Sequence, residues 1–354
     1  MAIEVKKWEN HQKEIPDDHY YYVRSCIRQT FFPGAEEAFL KIVRNNLKLD
    51  FYDDARHSSC SGIGYHTDLV PFETTMTIIA RQFALMTERG YKHLAVSCVT
   101  SFGLYLEVIE AWEHHPHLLK QAREMLWKAT QREFEIPTHI VHVSDLIYKY
   151  AEKIAKIAPY KLVNIHTGKP LQVVDHVGCH YAKIFPDKGI GGSEYPKVLS
   201  HVVEAFGGSS IDYPERRQCC GFGFRHYIVK ENRGYSISAS KRKFESMKPY
   251  KPDLIVANCP GCSMFLDKWQ YALSEMEGTT YDDNKHGIPV VTHEELAAIM
   301  LGFNPWELGL QMHQVQVDSL FEKIEFKYNK SDKYLDINGV TMGKPLKPSV
   351  LTVD

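Results

Sequence analysis

The residues that could do chemistry are eight cysteines: Cys26, Cys60, Cys98, Cys179, Cys219, Cys220, Cys259 and Cys262. They are too few for a disulfide-built scaffold and too clustered to be filler. The second half reads Cys179-x39-Cys219-Cys220-x38-Cys259-x2-Cys262, and the first reads Cys26-x33-Cys60-x37-Cys98. Without a secretion signal such thiols are expected to stay reduced, which points to metal or redox chemistry. Five thiolates in one half exceed the four that close a tetrahedral zinc site. Iron–sulfur clusters also usually take four. A fifth implies an unusual cluster, or one sulfur held back for reaction. The adjacent Cys219 and Cys220 can reach different metal atoms of one cluster, and Gly221 and Gly223 let the backbone turn close to a bulky inorganic core.

The near-equal intervals point to an internal duplication. Cys60-Ser61-Gly62-Ile63-Gly64 lies against Cys219-Cys220-Gly221-Phe222-Gly223, and Cys98-Val99-Thr100-Ser101 against Cys259-Pro260-Gly261-Cys262. Further on, Ile140-Val141-His142-Val143-Ser144-Asp145-Leu146 matches Val290-Val291-Thr292-His293-Glu294-Glu295-Leu296. Ser61 and Ser101 stand where the second copy has thiols. Serine is a much poorer ligand for soft metals, so the copies are not expected to hold the same centre.

The elements that must position these residues follow from alternating patterns. Short apolar runs interleaved with helical periodicity predict an α/β fold of βα units and parallel strands. Strands are expected at Tyr20–Val23, Leu49–Tyr52, His93–Val96 and Ile140–His142, then Leu171–Val174, Ser210–Tyr213, Leu254–Ala257 and Val290–Val291. Helices are expected at Gly34–Leu47, Thr67–Arg89, Ser101–Glu113, Tyr195–Phe206, Pro260–Glu275 and Glu294–Leu301. Cys26, Cys98, Cys179 and Cys259 each follow a strand, on the edge where parallel sheets bind ligands. The expected architecture is two tandem pseudo-symmetric units, each a short parallel sheet flanked by helices, over residues 1–160 and 161–303. Ile157–Pro170 reads as the link between them. Residues 304–354 read as an extension, with a turn at Ile337-Asn338-Gly339-Val340 and a docking arm carrying Lys344, Pro345, Lys347 and Pro348.

The cysteine run from Cys179 to Cys262 resembles the cysteine-rich CCG domain. That domain occurs twice in the B subunit of heterodisulfide reductases and in their relatives. Among these are the heterodisulfide reductase-like complex of sulfur oxidisers, the E subunit of archaeal succinate dehydrogenase, and the lactate and glycolate oxidase iron–sulfur subunits. The resemblance covers roughly Tyr20 to Gly302. It implies that Cys179, Cys219, Cys220, Cys259 and Cys262 hold a noncubane [4Fe-4S] cluster as reaction centre, with one electron passing to each sulfur of a disulfide. Cys26, Cys60 and Cys98 match family ligand positions, whereas Ser61 and Ser101 depart from them. Three thiolates could still hold a smaller second centre, such as [2Fe-2S], with His66 as a further ligand and His57 as its local rival. The departure also favours a specialised relative of the sulfur-oxidising type over the symmetric disulfide reductase.

Near the complete set, His180 is a candidate proton donor, with His176 and His226 also in range. Arg216, Arg217 and Arg225 could steer an anionic substrate or lower thiolate pKa values. The chain has no Cys-x2-Cys-x2-Cys-x3-Cys-Pro run, so electrons must pass through partners; the resemblance implies flavin- and ferredoxin-type subunits and a thiol, disulfide or lipoyl-bound sulfur substrate. Two other readings stand beside this one. One is an electron-relay or anchoring protein like the archaeal succinate dehydrogenase E subunit. The other is a binding module in which Cys259, Cys262 and two more thiolates hold structural zinc.

Composition excludes other classes. A balance of 42 basic against 44 acidic residues, net −2, leaves no electrostatic footprint for nucleic acid. No apolar run approaches the roughly 18 residues of a spanning helix, and Met1 to Tyr22 lack a signal-peptide pattern, so a cytoplasmic protein is expected. HExxH, GxSxG and Walker sequences are absent. Gly189-Ile190-Gly191-Gly192 reads as a plain loop, and His114, His115 and His117 as a polar turn around Pro116.

Overall fold

Apolar runs too short for helices and bounded by polar residues pair into two small sheets. The structure is a computed structural model describing residues 15–57, 60, 62–222, 233–278, 281 and 287–328. Strands β1 (Tyr20–Val23), β2 (Phe51–Asp53), β3 (His93–Val96) and β4 (His139–His142) form a parallel sheet in the order β2-β1-β3-β4. After a hairpin of β5 (Val163–Asn164) and β6 (Lys169–Pro170) come β7 (Gln172–His176), β8 (Ser209–Ile211), β9 (Leu254–Ala257) and β10 (Val290–Thr292). These pair in parallel as β8-β7-β9-β10, the same order as in the first sheet. Tyr20, Tyr21 and Tyr22 are all fully buried, as expected for a central parallel strand covered on both faces. The α/β reading holds, with helices flanking both sheets.

The helices in chain order are α1 (Cys26–Phe31), α2 (Pro33–Lys41), α3 (Ile63–His66), α4 (Phe72–Glu88), α5 (Val99–His114), α6 (Pro116–Thr130) and α7 (Val143–Lys149). They continue as α8 (Ala151–Ile157), α9 (Cys179–Ala182), α10 (Ser200–Ala205), α11 (Arg233–Met247), α12 (Pro260–Glu277), α13 (His293–Met300) and α14 (Asp318–Ile324). Several expected bounds move for local reasons. The helix expected from Thr67 starts at Phe72, because Asp68 sits at φ 58° and Pro71 takes the N-cap position. The helix expected from Tyr195 shortens to α10, since Pro196 keeps Tyr195 out of the helical region. The segment Gly34–Leu47 divides into α2 and a π-helical turn over Ile42–Asn46. The histidine turn is a one-residue break at His115, after which Pro116 opens α6 at its first position. The link Ile157–Pro170 carries the β5–β6 hairpin.

Reciprocal contacts lock the halves together. Arg28 of α1, fully buried, donates to Ser97 Oγ at 3.2 Å and to the Asn258 carbonyl at 3.1 Å, and ion-pairs with Glu294 at the start of α13. From the other half, Tyr181 of α9 donates its hydroxyl to the buried Asp145 carboxylate at the start of α7. Asp145 and Glu295 each close a capping box, accepting from the His142 and Thr292 amides at 2.9 and 2.8 Å. The first helix of each half therefore grips the capped turn of the other.

Residues 304–328 pack on the same core, burying Leu308, Leu310, Val317, Leu320 and Phe321. The Asp267 carboxylate accepts the Gln314 and Val315 amides at 2.8 and 2.9 Å. His313 Nε2 stands 3.2 Å from Glu295 Oε1, both side chains fully buried. The turn at Ile337–Val340 and the Lys344–Pro348 arm lie outside the described residues. Burial alone would depress the His313 pKa, but the charge and hydrogen bond of Glu295 outweigh it and lift it to about 9. The charged pair thus stabilises fully below the ordinary value of about 6.5 and ceases to do so as pH rises through about 9. His313→Gln is expected to cost about 3–5 kcal/mol near pH 6. Parallel calorimetric melts of parent and variant should show that gap narrowing toward pH 9.5; a pH-independent gap would contradict the assignment.

Candidate metal centre

Three thiols of the second half are placed by a strand end or a helix start, and Cys219 and Cys220 by a loop. β7 ends at His176, and Cys179 opens α9 after the N-cap Gly178. A Cβ on Gly178 would lie 2.7 Å from Cys259 Cβ and 3.0 Å from Val99 Cγ1, so only glycine lets these loops close. Asn258 Oδ1 accepts the Gly178 amide at 2.9 Å and ties the Cys179 loop to the Cys259 loop. Cys259 is the N-cap of α12, Pro260 follows at the first helical position, and Cys262 lies in the first turn. That end of a helix presents free N–H groups and partial positive charge, which favours thiolate. Gly221 adopts φ 99°, turning the chain so that Cys219 and Cys220 face the same space.

The five sulfurs converge. Cys179, Cys219, Cys220, Cys259 and Cys262 line one cavity with His180, Phe222 and, from the other half, Val99 and Thr100. Cys220 Sγ is 3.2 Å from Cys262 Sγ, and Cys219 Sγ accepts the Gly221 amide at 3.3 Å. Hydrogen bonds from the Cys179 and Cys220 thiols hold Cys219 well below the usual thiol value. The same contact with Cys219, then burial, holds Cys179 up. Cys259 is held down by the Cys262 thiol and by the Cys262 and Gly261 amides, against its burial.

His176 tests whether these residues suit a bound metal group. It is 2% exposed, and neither ring nitrogen has a hydrogen-bond partner. Burial pushes its pKa well down, leaving the ring neutral. One of its ring nitrogens and the Cys220 and Cys262 sulfurs all lie within 4.8 Å of one another. A buried polar ring left without partners in a shell of thiolates fits a site shaped for metal. The donor set of five soft sulfurs suits an iron–sulfur cluster.

The first half gathers its three thiols in the same way. Cys26 opens α1 behind the cap Ser25, and Cys98 is the N-cap of α5. The Cys26 thiol is held up first by its hydrogen bond to Cys60 and then by burial, with Cys98 close enough to add charge. Ser101 hydrogen-bonds to Cys98, as Cys262 does to Cys259. Cys98 is held up by burial and next by Cys259, which puts the two thiol sets side by side at the join. Ser61 lies outside the described residues. The polar contact of His66 is Glu107, with Nε2 to Oε2 at 3.3 Å, and its ring lies 4.7 Å from that of His180. His180 Nδ1 is 3.2 Å from Thr100 Oγ1. His57 is buried with both ring nitrogens unpartnered and its ring 5.8 Å from that of Tyr21.

The arginines have partners of their own. Arg216 makes a bidentate pair with the buried Asp175 at 2.6 and 2.7 Å, so its charge is taken up inside the fold. Arg217 pairs with Glu194 at 2.8 Å and covers the Tyr195 ring. Gly223, Arg225 and His226 lie outside the described residues. Sequence reasoning missed α11. Its Ser236 donates to the Gly221 carbonyl at 2.8 Å and its Ser240 to the Cys220 carbonyl at 2.6 Å, clamping the Cys219-Cys220 loop. Ser236, Ser240 and Lys243 are fully buried, and their i, i+4, i+7 spacing on an otherwise polar helix was the available signal.

Known proteins resemble this chain in sequence and fold. Residues 173–267, which span all five converging cysteines, match the family described as "Cysteine-rich domain", CCG. This stretch is similar to the CCG cysteine-rich domain, and the chain is similar to the B subunit of heterodisulfide reductase. It is 25% identical over 323 residues to the B subunit of the Ferredoxin:CoB-CoM heterodisulfide reductase of Methanosarcina acetivorans, covering 88% of this chain and 98% of that one. The Methanosarcina mazei protein of the same name is 28% identical over 302 residues, 84% of this chain and 94% of the other. The 8-methylmenaquinol:fumarate reductase membrane anchor subunit of Wolinella succinogenes matches at 25% identity over 150 residues, 42% of this chain and 50% of that one. In fold, the chain resembles a hypothetical protein from Helicobacter pylori, with a TM-score of 0.57 at 13% identity over 88% of this chain and 57% of that one.

Gly178→Ala drives a methyl group into Cys259 and Val99. It is expected to lower the metal content of the purified chain several-fold while far-UV circular dichroism stays unchanged. Full metal content in the variant would show that the Cys179 and Cys259 loops need not close in this way.

Proposed function

We propose that this chain is the iron–sulfur subunit of a heterodisulfide reductase-like complex, an oxidoreductase subunit acting on sulfur groups in sulfur oxidation. The observation that carries the reading is the convergence of Cys179, Cys219, Cys220, Cys259 and Cys262 on one cavity beside an unpartnered His176. When bound there, a noncubane [4Fe-4S] cluster supplies one-electron steps and an iron to which a substrate sulfur binds. The five cysteines hold it. Val99, Thr100 and Phe222 wall the cavity and restrict water around the reacting sulfur. His180, anchored by Thr100, is the side chain that exchanges a proton with an arriving or departing thiol.

In this reading Cys26, Cys60 and Cys98, with His66 as a further ligand, hold a second and smaller cluster with no catalytic step of its own. Residues 1–160 and 161–303 form the degenerate and complete units, and 304–354 the extension that meets partner proteins. Those partners carry flavin and ferredoxin-type clusters, the substrate is a thiol, disulfide or lipoyl-bound sulfur, and the complex works in the cytoplasm. The five-to-three asymmetry of the thiols supports the sulfur-oxidising branch over the symmetric reductase. A second reading, an electron-relay or anchoring role, draws on the similarity to the fumarate reductase anchor protein. Among the described residues no helix is long and apolar enough to cross a membrane.

Anaerobic purification with iron, zinc and acid-labile sulfide analysis tests the proposal. Iron and sulfide are expected, with an EPR signal of the oxidised protein that changes on adding thiol and disappears in Cys220→Ser. Zinc without iron would replace the redox reading with a structural one. A signal indifferent to thiols would favour the relay.

A further inference from the structure

Among the described residues three cations reach the interior around the complete half, Arg28 from α1 of the first half and Arg216 and Lys243 from the second, and they are balanced differently. Arg28 is paired with Glu294, and Arg216 with Asp175. Lys243 of α11 is fully buried, and among the described residues it makes no ion pair with a carboxylate. Its ammonium donates to the Glu215 carbonyl, to the Arg216 carbonyl at 3.4 Å and to Tyr213 Oη at 3.5 Å, and it lies 5.3 Å from the Tyr213 ring centre. All three partners belong to the stretch leading into Cys219-Cys220. Burial pushes the Lys243 pKa down to about 8; the charges opposing that fall are led by Cys220 and Cys262, ahead of the Glu215 carboxylate. A buried ammonium without a carboxylate of its own is costly unless another anion offsets it.

The first half supplies a control within the same molecule. Gln82, fully buried in α4, stands as far ahead of β3 as Lys243 stands ahead of β9. It receives a hydrogen bond from Tyr105. The half with three thiols has a neutral side chain where the half with five has a cation.

We propose that Lys243 is the counter-cation of the complete centre and a positioning residue for its Cys219-Cys220 loop, so that its charge raises the reduction potential of the cluster held there. Ser236 and Ser240, two turns and one turn earlier on the same face, clamp the loop without adding charge. The inference rests on the proposal that the five thiols hold an iron–sulfur cluster. A parent protein without iron or sulfide would sink that proposal before any variant is compared.

The test is an EPR-monitored redox titration of the full chain, with iron content measured alongside. Lys243→Gln keeps a donor for the loop carbonyls and removes the charge. It is expected to lower the midpoint potential by about 59 mV, a tenfold shift in the one-electron equilibrium constant. Ser240→Ala weakens the clamp and should lower iron retention without moving the potential. A Lys243→Gln protein that keeps its iron and the parent potential would overturn the proposal. Should Lys243→Gln lose its iron, Lys243→Arg decides: iron and potential restored by the retained charge support it, and equal loss in both variants overturns it.

Discussion

Taking thiols out of water is the constraint on which this structure turns. A thiol in the interior keeps its proton unless positive charge or a metal stabilises the thiolate. Here Cys220, Cys259 and Cys262 are buried and Cys179 and Cys219 partly so, all around one cavity. The fold meets the constraint with the N-terminus of α12 under Cys259 and Cys262, amides directed at Cys219 and Cys259, and the ammonium of Lys243. The other cations, Arg28 and Arg216, are committed to carboxylates and serve the architecture. The first half gathers fewer sulfurs and leaves Cys60 exposed, so it faces a weaker form of the same constraint.

Two sheets of identical strand order are held together by a reciprocal exchange of side chains. Arg28 crosses one way and Tyr181 the other, each ending at an acidic residue at the start of the opposite half's capped helix. The exchange has a consequence for the site. It presses α5 of the first half against the second, so that Val99 and Thr100 complete the cavity wall and Cys98 comes beside Cys259. Neither half could build the complete cavity alone. The residues just beyond α13 reinforce the join, because His313 pairs with the same Glu295 that caps that helix.

Much of this was legible from residue order. Strands such as Tyr20–Val23, His93–Val96 and Leu254–Ala257 were read at their observed bounds, because short apolar runs between polar residues leave little choice of register. The thiols that follow strands fell on the ligand-binding edge as the topology requires. Helix α11 was not legible: Ser236, Ser240 and Lys243 look like a solvated face, and only packing against the Cys219-Cys220 loop makes them interior. From sequence Arg216 could steer an anionic substrate or lower thiolate pKa values, but Asp175 lies 41 positions away and their pairing is a tertiary event.

The sequence by itself determined the α/β class, the duplication and the division of eight cysteines into five and three. Those follow from periodicity and spacing, which are local properties of the chain. Tertiary structure alone decided which polar groups share the interior. It turned His66 toward Glu107 and His180, left His176 unpartnered among the thiols, and gave Arg28 and Arg216 their carboxylates while Lys243 received none. The physical reason is that charge compensation depends on distance in space, and segments distant in the chain supply the compensating groups.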